Sequence, residues 1–127
     1  MQANHTPALT LAAAFAVSKS DGSQSNLHTS TVSEVKISKD KSFIASGSFD
    51  KTIRLWYSQE SFVLEGHSSS VCSIQLVEDL LVSGSEDKSI RLWDLESRSC
   101  IKVVWGHKHS VTALAAFKNL LVSGSSD

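Results

Sequence analysis

The sequence predicts an all-β fold assembled from a repeated, four-stranded antiparallel unit. Three observations lead there. FIASGSFDKTIRLWY (43–57) returns as LLVSGSEDKSIRLWD (80–94) with nine of fifteen positions identical, and LLVSGS returns unchanged at 120–125. A second block precedes each copy: HTSTVSEVKI at 28–37, HSSSVCSIQL at 67–76 and HKHSVTALAA at 107–116. Within the repeats no stretch keeps a helical period, whereas apolar and β-branched runs of about six residues alternate with turn formers. Self-similarity at a fixed period is the signature of stacked units, each unable to bury its own apolar face alone.

Taken in order, residues 1–27 read as a leader and linker, expected to be poorly ordered. The apolar run ALTLAAAFAV (8–17) is too short to span a bilayer as a helix, and MQANHTP ahead of it offers no basic residue for a signal peptide. SKSDGSQSNL (18–27) is small and polar, as linkers are. The first unit is expected at 32–65. The second, at 71–105, shows its strands most plainly as VCSIQL, LLVSGS, SIRLW and SCIKVVW, broken by Glu-Asp, Glu-Asp-Lys and Glu-Ser-Arg-Ser. The third, at 111–127, contributes the first two strands only. The histidines step by 39 and 40 positions, and Gly47, Gly84 and Gly124 by 37 and 40, so the length differences fall in loops.

Composition narrows the function classes. The chain has 127 residues, of which 41% are hydrophobic and 20% charged. That is an ordinary globular composition for one modest domain. A formal net charge of -1 argues against nucleic acid or an anionic membrane as the main partner. Cys72 and Cys100 form no CxxC pair and no zinc-type cluster, which points to reduced, inert thiols inside the cell, cytoplasmic or nuclear. No cofactor or metal is expected.

A period near 40, four strands per unit, Gly66-His67, Gly106-His107 and the ending Ile-Arg-Leu-Trp-Asp together resemble the WD40 β-propeller repeat. The likeness covers residues 28–127. Trp56-Tyr57 lacks the Asp of the Trp-Asp pair and Leu27-His28 lacks the Gly, making the first unit the most degenerate. The resemblance implies a partial propeller: two complete blades and the first two strands of a third.

Ser, His and Asp at fixed offsets admit two readings, a hydrolase's catalytic set or a hydrogen-bonded latch. The resemblance implies the latch, a tetrad of His28, Ser46, Asp50 and Trp56, then His67, Ser83, Asp87 and Trp93, then His107, Ser123 and Asp127 with no Trp. Spacing supports it independently. The Ser precedes the Asp by four residues in all three copies and the Trp follows by six in two. Catalysis needs such a set once, beside an oxyanion hole, whereas a threefold recurrence answers a structural need that arises threefold. Arg54 and Arg91, sharing a strand face with the tryptophans, are expected to pack their stems over rings. His107-Lys108-His109 is not expected to hold a metal, since His107 is already committed. Lys51 and Lys88 follow the turn Asp where glycine suits a tight turn better, so mild backbone strain is expected.

The family's propellers are binding platforms, and the loops bearing Gly-His and the turn Asp converge on one face. Partner-binding candidates there are Phe49, Glu86, Ser69, Lys108 and His109, with Phe49 as an apolar anchor. The expected function is a non-catalytic protein–protein interaction scaffold that recognises other proteins or peptides. The alternatives are a substrate-recruiting propeller segment of a ubiquitin-ligase adaptor and regulatory repeats of an enzyme whose catalytic domain lies elsewhere. Closing a ring takes four blades or more, roughly 160 residues. The chain is therefore expected to be part of a longer protein, or to self-associate through its open blade edges.

Overall fold

The computed structural model describes residues 27–117 and 120–127. Ten strands follow one another: β1 (Val32–Ile37), β2 (Ile44–Ser48), β3 (Ile53–Trp56), β4 (Ser61–Leu64), β5 (Val71–Val77), β6 (Leu80–Ser85), β7 (Ser89–Asp94), β8 (Ser99–Trp105), β9 (Val111–Phe117) and β10 (Leu120–Ser125). They pair antiparallel in chain order into sheets of four, four and two strands. The all-β class and the open, partial array of blades are thus what the structure contains. The leader at 1–26 lies outside the described residues. Leu27, the last residue of that expected segment, is buried against Ile44 and Trp56.

Tight turns close the hairpins. Lys51 N–H donates to Ser48 O at 3.2 Å, and Lys88 N–H to Ser85 O at 3.1 Å. Both lysines take positive φ, 80° and 77° respectively. That region costs a residue with a Cβ about 1–2 kcal/mol. The strain anticipated at these two turns is therefore real.

Adjacent sheets pack face to face through their inner strands, β5 on β1 and β2, then β9 on β5 and β6. Glycine makes the close approach possible. A Cβ on Gly47 would lie 2.9 Å from a methyl of Val71, and one on Gly84 only 2.7 Å from a methyl of Val111. The Ser-Gly-Ser strand ends thus leave a notch into which the next sheet's leading valine fits. Around the first seam, Ala45, Ile53, Leu55, Leu64, Val71, Ile74, Leu81 and Trp93 form one core, with Leu76 and Leu95 packed against it. The second seam gathers Val82, Ile90 and Val111.

Each inner strand also bulges at its second residue, so that Ser33, Cys72 and Thr112 face no partner in the ladder. Such an extra residue bends the strand and re-aims a side chain. Ser33 Oγ is turned onto Val71 O of the next sheet at 2.6 Å. Beside it, Glu34 Oε1 accepts from Ser73 Oγ and from Ile74 N–H, both at 2.9 Å. That carboxylate satisfies a backbone donor on the sheet's inner edge, where no further strand pairs.

The missing Asp of the first unit has a physical replacement. In the second unit, Asp94 Oδ2 accepts Ser97 N–H at 2.9 Å and caps the β7–β8 turn. Tyr57, at the same place in the first unit, instead meets the rings of Phe43 and Phe62, with centroids at 5.2 and 5.8 Å. Arg98 from the second unit lays its guanidinium 3.5 Å from the Phe62 centroid. An aromatic cluster that bridges two blades has taken the place of a local cap.

Candidate functional site

The turn between β2 and β3, and its counterpart between β6 and β7, brings the Asp under the histidine of the loop that enters the same blade. His67 Nδ1 lies 2.8 Å from Asp87 Oδ2, and its Nε2 lies 2.7 Å from Ser83 Oγ. Trp93 Nε1–H donates to the same serine oxygen at 2.8 Å. The first blade repeats this geometry: His28 Nδ1 to Asp50 Oδ2 is 2.9 Å, His28 Nε2 to Ser46 Oγ is 2.7 Å, and Trp56 Nε1 to Ser46 Oγ is 2.8 Å.

One proton arrangement satisfies every partner. The ionised Asp accepts, so Nδ1 carries the ring proton and Nε2 is left to accept the serine O–H. The serine oxygen then accepts the indole N–H. Burial pushes His28 and His67 below the ordinary histidine range, further than their aspartates pull them back, which favours this neutral tautomer. Burial works to raise the aspartates, but the bonds they accept outweigh it and hold each at about 2. Thr52, Thr29 and His28 do so for Asp50, and Ser89, His67 and Ser68 for Asp87.

The Asp–His–Ser order matches a hydrolase triad, and the difference lies in access. Ser46 and Ser83 are both 0% exposed, and each hydroxyl oxygen is already engaged by a histidine and by an indole N–H. A nucleophile needs room for the reacting carbonyl and an oxyanion hole beside it. These two hydroxyls, fully buried, have no such room. The arrangement can pin the strands of a blade to its entering loop, since leaving any one member unbonded would cost about 1–3 kcal/mol.

The third set is incomplete and more open. His107 Nε2 lies 2.9 Å from Ser123 Oγ, and its Nδ1 lies 3.0 Å from Asp127 Oδ1. Lys108 N–H also donates to the Asp127 carboxylate. The His107 side chain is 28% exposed where that of His67 is 0%.

Two members of the latch were not singled out by spacing alone. Thr52 Oγ1 and Ser89 Oγ each donate to the turn Asp at 2.5 Å. Ser48 and Ser85 accept the N–H of Asp50 and of Asp87, both at 3.0 Å. Their signal is present in the shared Ser-Gly-Ser and in Asp-Lys-Thr and Asp-Lys-Ser (50–52 and 87–89), where a hydroxyl recurs two residues either side of the Asp. The Gly of Gly-His has a reason too. A Cβ on Gly66 would sit 3.0 Å from Arg91 Nη1 and 3.1 Å from Trp93 Cη2. Arg91 and Trp93 therefore share a face, and the guanidinium reaches Cys100 Sγ at 3.6 Å.

The turn tips meet on one face. Phe49 N–H donates to Thr31 O at 2.8 Å, while Phe49 O accepts from Ser70 Oγ of the next blade at 3.3 Å. Ser70 O in turn accepts Glu86 N–H at 2.9 Å, and Ser69 Oγ donates to the Glu86 carboxylate at 3.2 Å. The backbone of Phe49 is thus tied on both sides, yet the residue is 44% exposed. Glu86, Lys108 and His109 are exposed, and Ser69 is half-buried. The structure brings Phe49, Ser69 and Glu86 together around Ser70, with Lys108 and His109 at the entry to the third unit.

Comparison with known proteins adds the family. None of the curated proteins matches the chain. The family model described as WD domain, G-beta repeat matches three successive segments, 20–57, 58–94 and 98–127. These matches take in most of the sequence, and each contains the Ser-Gly-Ser strand end and turn Asp of one blade. The chain belongs to the WD40 repeat family.

Proposed function

We propose that the chain is a non-catalytic scaffold that holds another protein or a peptide on the face carrying the turn tips. WD40 repeats are generally protein-interaction scaffolds, and their domains are typically non-catalytic. The single observation that carries the reading is Phe49. A large ring stands out of a turn whose backbone is hydrogen-bonded to both neighbouring segments, so the turn spends no freedom on binding while the ring remains available. Across Ser70 from it stands the Glu86 carboxylate. The partner that fits presents an apolar side chain to Phe49 and a hydrogen-bond donor or cation to Glu86, with Ser69, Lys108 and His109 at the margins. Near-zero net charge favours a protein over nucleic acid or membrane, and the unpaired Cys72 and Cys100 fit a cytoplasmic or nuclear location.

Photo-crosslinking tests this. A benzoyl-phenylalanine placed at Phe49 or Glu86 is expected to capture partner protein in cells. The same group at Glu60, exposed in a turn at the other end of the blade, is expected to capture none. Equal capture from all three positions, or capture from Glu60 alone, would overturn the assignment of the face.

A further inference from the structure

We propose that a groove across the first seam, at the end of the blades away from the turn tips, binds an extended basic segment of a partner protein, one in which lysine or arginine alternates with apolar side chains. A space of about 980 Å³ lies there. One wall is the turn between β1 and β2, and the other is the turn between β5 and β6 together with the start of the β7–β8 turn. Fourteen of the fifteen lining residues belong to the two four-stranded sheets, Ala116 being the exception, so the groove is a property of the seam between complete blades. β2 runs from this groove up to Phe49, which puts the groove and the turn-tip face at opposite ends of the blade. The inference is therefore independent of the one drawn for Phe49.

The floor is apolar. Phe43, Leu76 and Leu95 are half-buried, each packed on the core of the first seam. The walls are set before any partner arrives. Ser38 Oγ accepts Ser42 N–H at 2.9 Å and Phe43 N–H at 3.1 Å, which closes the first turn on itself. Leu95 N–H donates to Asp79 O at 3.1 Å, joining the two parts of the second wall. Little ordering remains for binding to impose.

Charge selects the occupant. The lining carries five carboxylates against two lysines, in a chain whose formal net charge is only -1. Lys36 is already paired with Glu34 at 3.4 Å. Among the described residues, the side chains of Glu78, Asp79 and Glu96 enter no ion pair or hydrogen bond. All three are exposed, so the groove is a trough open to water. A small ligand is usually enclosed on most sides, whereas a chain segment can lie along a trough with its alternate side chains pointing down and out. Phosphates would be repelled by the acidic wall, and a cationic segment is drawn to it. The leader at 1–26 is a poor match, because Lys19 is its one lysine and it has no arginine.

The test follows fluorescence anisotropy of a capped, fluorescein-labelled peptide, GKLRLKLRG, titrated with the full chain. Saturable one-to-one binding is expected, weakened at least tenfold when the three leucines become serine, and absent for the acidic peptide GELELELEG. These peptide-side changes leave the protein untouched, so misfolding cannot imitate them. Glu78→Gln combined with Glu96→Gln, at two exposed positions, is expected to weaken binding several-fold, while Phe49→Ala leaves it unchanged. Any one of four results would overturn the proposal: no saturable binding, equal binding of the serine or the acidic peptide, full affinity in the doubly substituted protein, or loss of binding in Phe49→Ala.

Discussion

The two copies of Leu-Leu-Val-Ser-Gly-Ser live in opposite surroundings. In β6, Leu81 and Val82 are 0% and 3% exposed, while in β10 the same residues, Leu121 and Val122, are 37% and 52% exposed. Both copies form a strand, both pair antiparallel with the strand before them, and both end beside a bulge. Strand formation and first pairing are thus local properties of the repeat. Burial is not. Leu81 is covered by Trp93 and the first seam, and Val82 by Val111 of the following sheet, so each face of a blade is completed by chain that lies outside the motif.

Paired substitutions measure that difference, the larger effects first. Leu81→Ala should lower stability by about 2–5 kcal/mol, as a buried leucine does, while Leu121→Ala should cost less than about 1. Urea unfolding of the two variants reads the contrast directly, and similar losses would mean that the β10 copy is buried in solution. Ser83→Ala removes a donor from His67 and an acceptor from Trp93, and should cost about 1–3 kcal/mol. Ser123→Ala, with one half-buried bond, should cost under about 1, again by urea midpoint.

Acid should act on the closed latches. His28 and His67 titrate lower in the folded chain than unfolded, so the unfolded state takes up the extra proton and stability falls as pH drops below about 6.5. Asp50 and Asp87, held at about 2, add a second loss in the same direction between about pH 4 and pH 2. Melting followed by circular dichroism from pH 7 to pH 5 should show a steady fall, and His67→Gln should flatten it. The smallest effect is expected at the turns. Lys88→Gly relieves the positive φ. After the entropy cost of glycine it should gain no more than about 1 kcal/mol. A loss there would show that the lysine side chain stabilises the turn.

Much of this was legible in the sequence because the repeat is its own alignment. Three phased copies locate the strands, and invariant offsets between Ser83, Asp87 and Trp93 locate the latch. What lies between blades is harder to read, because a contact made between two repeats differs from seam to seam. Glu34 reaches Ile74 in the first seam, but Ser73 and Ala113 stand at its position in the next two units and leave no pattern to notice. Tyr57 reads as a lost Asp, and only packing shows it gathered with Phe43, Phe62 and a distant Arg98. Leu27 likewise reads as a lost glycine and turns out to fill the space beside Trp56.

Every member of the His67 latch, its Ser89 partner included, comes from one continuous stretch of chain, His67 to Trp93. A genetic duplication that copies such a stretch copies a finished polar network, with no orphan group to be rescued by later mutation. What an added repeat then needs from its neighbour is cover for its apolar face, beginning with a notch over glycine wide enough for a valine. Arrays built this way can lengthen by whole units while each new unit arrives already internally satisfied.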